Sequence, residues 1–230
     1  MLDPRNQSPF HSLPPIVVAL AVVIIGIELM FQAGTAGLIG GREAVGWRLG
    51  ALRDWAVAES VWAWMIDRGE WPLRQVARII AYPFLHGSFT HAAFVAVFTL
   101  ALGNAVAPVY PNLRILVLFF GAAIGGAFVY LIVFDTQAPL LGGYPAVYGL
   151  IGAFTYLTQR GLTRGDPKNA FLLIGFLLAI QPVFGLITMR NLAWLPDWSA
   201  DLGGAASGYG LAALMFPGAL ARLRDRMRQR

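Results

Sequence analysis

Long apolar runs alternate with short polar links along most of this chain. The runs fall at 16–39, 79–102, 113–134, 142–158, 170–189 and 200–216. A bilayer core about 30 Å thick takes roughly 20 residues of helix to cross. Backbone groups inside hydrocarbon must pair within their own segment, so each run predicts a membrane-crossing helix. The links at 103–112, 135–141, 159–169 and 190–199 hold the Pro, Gly and Asp residues that stop helices. The pattern describes an all-α membrane protein: a six-helix domain over 16–217, between a short segment 1–15 and a basic tail 218–230.

One link is far longer than the rest. The stretch 40–78 carries Trp47, Trp55, Trp62, Trp64 and Trp71 among acids and arginines. Indole rings settle at headgroup level, so this first outer loop is expected to hold short helices lying in the interface. It reads either as a structural anchor or as a platform for a partner.

Composition sharpens the class. Charged residues make up 13% of the chain, against about 25% in a soluble domain. Cysteine is absent, which excludes a disulfide, a thiolate nucleophile and a Cys-ligated metal. The net charge of +5 is less informative than its placement: Arg222, Arg224, Arg226, Arg228 and Arg230 follow the last apolar run. Such a tail rests on anionic lipid at about 1 kcal/mol per charge; nucleic-acid binding would need a basic patch on a folded surface, and none is expected. The 159–169 link carries Arg160, Arg164 and Lys168, whereas 135–141 has no basic residue. Both termini and the 159–169 link are therefore placed in the cytoplasm, with the bacterial inner membrane as the expected location. The first fifteen residues, with four prolines, do not read as a cleavable signal.

Small residues mark helix contacts. Ala200, Gly204, Gly208 and Ala212 recur every fourth position and share one helix face. Gly121 and Gly125 repeat the device in the third run, as do Ala122 and Gly126. Glu28 and Gln32 lie one turn apart in the first run; an intramembrane glutamate is a functional candidate, but these two stand near the helix end. Asn104 and Asn191 read as caps. The absence of an internal repeat argues against a transporter.

Three segments carry the candidate chemistry. Arg78-Ile79-Ile80-Ala81-Tyr82-Pro83-Phe84-Leu85-His86-Gly87-Ser88-Phe89-Thr90-His91 leads into the second run, Gly142–Gly149 opens the fourth, and Leu202-Gly203-Gly204-Ala205-Ala206-Ser207-Gly208 lies in the last. Their order, with six helices and a large first outer loop, resembles the rhomboid family of intramembrane serine proteases. The resemblance covers about 79–216 well, although Ala77 stands where the family usually has Trp before the arginine.

Active rhomboids cut peptide bonds with a Ser–His dyad, because serine attacks only once a base takes its proton. The resemblance puts Tyr144 at the serine position, Asp201 at the histidine position and Pro145 at the glycine after the serine. His91 matches the oxyanion-side histidine, Val95 replaces the asparagine four residues later, and Tyr148 matches an aromatic that packs on the catalytic histidine. Gly142, His86 and Arg78 complete the remnant. A phenol of pKa about 10 and a carboxylate of pKa about 4 make a poor nucleophile and a weak base. Ser88 and His91 share one helix start, and Ser207 sits in the small-residue ladder. His86 and His91 alone are too few for a metal site, and no cofactor is expected. Tyr144 is expected to donate to Asp201, or His91 to join them, unless Asp201 lies shallow enough to be wet.

The expected function is that of a pseudoprotease which binds, escorts or helps assemble other transmembrane proteins, with lipid around it. A fixed accessory subunit of a respiratory or photosynthetic complex is the first alternative. Proteolysis by an unconventional site is the second.

Overall fold

The structure is a computed structural model that describes residues 13–163 and 192–216, with 175–176, 178–180, 182–183 and 186–187 between them. The expected helix over 170–189 falls largely outside the described residues. So do Arg164, Lys168, Asn191, the tail arginines and most of the segment 1–15.

Among the described residues the chain forms nine α-helices: α1 (Pro15–Thr35), α2 (Trp47–Trp55), α3 (Glu59–Arg68), α4 (Leu73–Val76), α5 (Arg78–Ala81), α6 (Phe89–Val106), α7 (Asn112–Val133), α8 (Tyr144–Gln159) and α9 (Leu195–Met215). Of these, α1, α6 and α7 are long and apolar enough to cross a bilayer. The protein is an integral membrane protein.

The core is built around α8. Twelve of its sixteen residues are buried, so it has no single polar face and must be surrounded. Helices α6, α7 and α9 enclose it, and α1 packs on the outside of α6. Close approach needs glycine. A Cβ on Gly204 would lie 2.1 Å from the Pro145 carbonyl oxygen, and one on Gly208 would lie 2.0 Å from that of Gly149. Gly121 and Gly125 of α7 face Leu211 and Ser207 of α9 in the same way, while Ala200 and Ala212 are fully buried. An open apolar groove of about 570 Å³ runs between α1 and α6.

The second run departs from its expected form. A continuous helix over 79–102 is replaced by α5, a 3-10 turn at Tyr82–Phe84, an extended stretch, and then α6. Pro83 offers no N–H, which breaks the ladder. Ser88 then restarts it as an N-cap, its Oγ accepting from the His91 N–H at 3.2 Å. The irregular stretch is paired inside the protein: Gly142 donates its N–H to the Tyr82 carbonyl at 3.1 Å, and the Tyr82 hydroxyl donates to the Ala123 carbonyl at 2.7 Å. Only such internal pairing permits broken backbone at membrane depth.

Smaller differences have similar causes. Helix α1 stops at Thr35 rather than 39, because Gly37 and Gly40 turn the chain at positive φ and the Trp47 ring folds against Gly40. Helix α9 begins at Leu195 rather than 200, with Pro196 in its first turn, where a missing N–H is harmless. Asn104 is not a cap; it lies inside the last turn of α6.

The long 40–78 link, called the outer loop for its expected side, is folded. Beyond its short helices, Val57 and Leu140 pair as an antiparallel bridge, with N–H to carbonyl distances of 3.0 and 2.8 Å. This bridge puts the loop and the α7–α8 link on the same side of the bundle. On the opposite side, the Tyr110 hydroxyl donates to the Ala212 carbonyl at 2.8 Å, and that of Tyr209 to the Gln159 side chain at 2.6 Å.

Candidate functional site

The polar centre forms where the broken stretch before α6, the start of α8 and the first third of α9 converge. Tyr144 is the first residue of α8. Its ring stacks on that of His91, with centroids 4.7 Å apart and planes at 21°. His91 in turn meets His86 edge-on at 4.9 Å and 87°. Imidazole and phenol thus meet through their faces. The Nε2 of His91 is buried without a hydrogen-bond partner among the described residues. The expectation that His91 joins Tyr144 and Asp201 through hydrogen bonds is replaced by this stacking.

Two glycines make the stacking possible. Gly142 holds a φ of +91°, and a Cβ there would come within 2.5 Å of the His91 ring. A Cβ on Gly143 would lie 2.6 Å from the Val95 side chain and 2.9 Å from the Pro83 carbonyl oxygen. Val95 is fully buried and fills this space with methyl groups rather than a polar donor. The Gly143 N–H points to Nε2 of His86 at 3.4 Å, a long contact that makes this nitrogen the acceptor.

Asp201 is 3% exposed, so the protein itself shelters it from bulk solvent. It lies within electrostatic reach of three phenols, those of Tyr82, Tyr144 and Tyr148. Tyr148 is buried one turn into α8, and Pro145 is pressed against Gly126 of α7 and Gly204 of α9. The hydroxyls named as alternative nucleophiles are engaged elsewhere: Ser88 caps α6, and Ser207 fills the space at Gly125. No group of three or more metal-ligating side chains occurs among the described residues.

Arg78 has a different place from the one expected. It braces the outer loop, donating from Nη1 to the carbonyls of Arg53 at 3.0 Å and Ala56 at 2.8 Å, and from Nε to the Gln75 side chain at 2.6 Å. Burial lowers its pKa, Asp54 opposing that fall and Arg74 adding to it.

Sequence reasoning missed Arg48. Its two terminal nitrogens grip the Glu28 carboxylate at 2.8 and 2.7 Å, and the first of them also donates to the His86 carbonyl. Gln32 donates to the same carboxylate at 2.9 Å. Glu28 is 1% exposed, and a buried carboxylate requires a cation. That requirement was the available signal, but the outer loop offers six arginines without saying which one answers it.

The geometry defines a helical membrane protein whose α8 opens with an aromatic residue stacked on a histidine. The family model for the rhomboid domain matches residues 73–218, well over half of the chain. The chain belongs to the rhomboid family. A comparison with characterised proteins found no match.

Proposed function

We propose that this chain is a non-catalytic rhomboid that binds, escorts or helps assemble other transmembrane proteins. In this reading it crosses a bacterial inner membrane six times, with both termini in the cytoplasm. The observation that carries the proposal is the ring of Tyr144 stacked on His91 at the position that the family resemblance assigns to the attacking serine. A phenol is a weak nucleophile at neutral pH, and a carboxylate at the base position takes its proton poorly. Val95 supplies no donor for an oxyanion, and losing one such donor costs about 100- to 1000-fold in well-studied hydrolases. What remains is a helix bundle with an internal polar centre, suited to engaging other helices.

A second reading, a fixed accessory subunit of a larger membrane complex, draws support from the outer loop. Trp64 and Trp71 are 41% and 53% exposed there, and large exposed aromatics suit permanent docking as well as transient contact. Purification in mild detergent separates the two. A fixed subunit brings its partners at constant stoichiometry, and an escort does not.

The direct test of catalysis uses purified protein in liposomes with a helical peptide substrate and a fluorophosphonate probe. No cleavage and no covalent labelling are expected. Cleavage that disappears on changing either Tyr144 or Asp201 alone would overturn the proposal in favour of an unconventional protease. Photo-crosslinkers at Trp71 and at the exposed Phe94 of α6 should instead capture transmembrane proteins.

The same reading includes a hydrogen bond from the Tyr144 hydroxyl to Asp201, supported by the electrostatic influence of that buried carboxylate on the phenol. Tyr144→Phe should then lower stability by about 1.5–3 kcal/mol, the range for a hydrogen bond to a charged group. Thermal unfolding in detergent measures this, and a midpoint equal to that of the parent protein would remove the pair.

A further inference from the structure

Three pieces of the chain that are distant in sequence meet at one guanidinium. Arg48, from α2 of the outer loop, holds Glu28 of α1 through both terminal nitrogens and donates to the backbone carbonyl of His86. The guanidinium also lies over the Phe31 ring at 5.3 Å. The side chain of Glu28 is 1% exposed and that of Arg48 19%, so the pair is sheltered from water. Beyond His86 the contacts continue inward. Its ring faces the Gly143 N–H at the start of α8, and its edge meets His91, which carries Tyr144 on its face. The outer loop and the polar centre are thus joined by a short series of packed groups whose outermost member is Arg48.

We propose that Arg48 is a latch between the outer loop and the polar centre. Engaged, it fixes the loop to the end of α1 and holds the broken stretch before α6, so that His86 and Gly143 stay in register. Released, the loop segment 41–57 and the stretch 84–91 loosen together, and the centre opens towards the outer face. A forked, planar guanidinium is needed because one side chain must serve a carboxylate and a carbonyl at once; a lysine ammonium is a point charge that lacks this fork. Coupling of this kind requires an element with two arrangements that both sites bias, and the folded loop is that element. The inference is independent of whether the centre is catalytic.

Hydrogen–deuterium exchange on the full chain in lipid nanodiscs tests it. Arg48→Gln should speed exchange at least about tenfold in 41–57, 84–91 and 142–146, while Asn112–Val133 stays protected. Faster exchange confined to 47–52 would overturn the latch and leave only a local loop anchor. The exchanged pair Glu28→Arg with Arg48→Glu separates the two arms of the contact. It restores the charge pair but offers no donor to the His86 carbonyl, so 41–57 should regain protection while 84–91 and 142–146 remain fast. Recovery of all three segments would show that the carbonyl contact is incidental and would overturn the proposal. If Arg48→Gln unfolds the whole bundle, Arg48→Lys decides: paired loosening of 84–91 and 142–146 supports the latch, and parent-like protection of both refutes it.

Discussion

Gly208→Ala is expected to destabilise the folded protein by about 3 kcal/mol, the upper end of the usual range for overpacking. The added Cβ would stand 2.0 Å from the carbonyl oxygen of Gly149 and 2.5 Å from its Cα. Those atoms are helix backbone. They cannot rotate aside as a side-chain tip can, so α8 and α9 must separate along their length. Between helices in lipid, attraction comes from van der Waals packing rather than hydrophobic burial, and that packing weakens steeply as the helices part. The neighbouring Gly210 provides the control, because a Cβ there meets nothing within 4 Å. Thermal midpoints in one detergent should place Gly210→Ala with the parent protein and Gly208→Ala well below it. A Gly208→Ala variant that melts with the parent would mean that the two helices do not approach so closely.

Arg48→Met should cost about 3–5 kcal/mol, the loss typical when a buried carboxylate is stripped of its cation. Glu28, at 1% exposure, would retain only Gln32 as a donor. The double change Glu28→Met with Arg48→Met should be milder than Arg48→Met alone, because an apolar pair replaces an ionic one without leaving a charge behind. Recovery should be partial. The His86 carbonyl also loses its donor from Arg48, and an unsatisfied buried carbonyl costs about 1–3 kcal/mol. A double variant less stable than Arg48→Met would show that the pair is not the source of the loss.

The legibility of this protein varied with the range of the interaction. Helices α1, α7 and α8 could be placed from apolar runs to within a few residues, because burial in lipid acts on each run separately. The glycine positions of α7 and α9 also showed their role, since a spacing of four fixes a shared face before any neighbour is known. The break before α6 was harder to see. Pro83 and Ser88 were both present as signals, but an apolar run of full crossing length concealed them. Arg78 was drawn into the polar centre by its motif, whereas its hydrogen bonds go to outer-loop carbonyls.

The chain by itself determined that this is an all-helical membrane protein with an unusually long link after its first helix, and its motifs resemble a rhomboid pattern that would put Tyr144 and Asp201 at two key positions. The first two follow from composition and run length, which are local quantities. Only the tertiary structure decided that Tyr144 meets His91 face to face, that Asp201 is buried, and that Arg48 rather than another arginine answers Glu28. The reason is physical: ring orientation, burial and ion pairing depend on which helices touch and at what distance, and at Gly142, Gly204 and Gly208 that distance is set by the absence of a side chain.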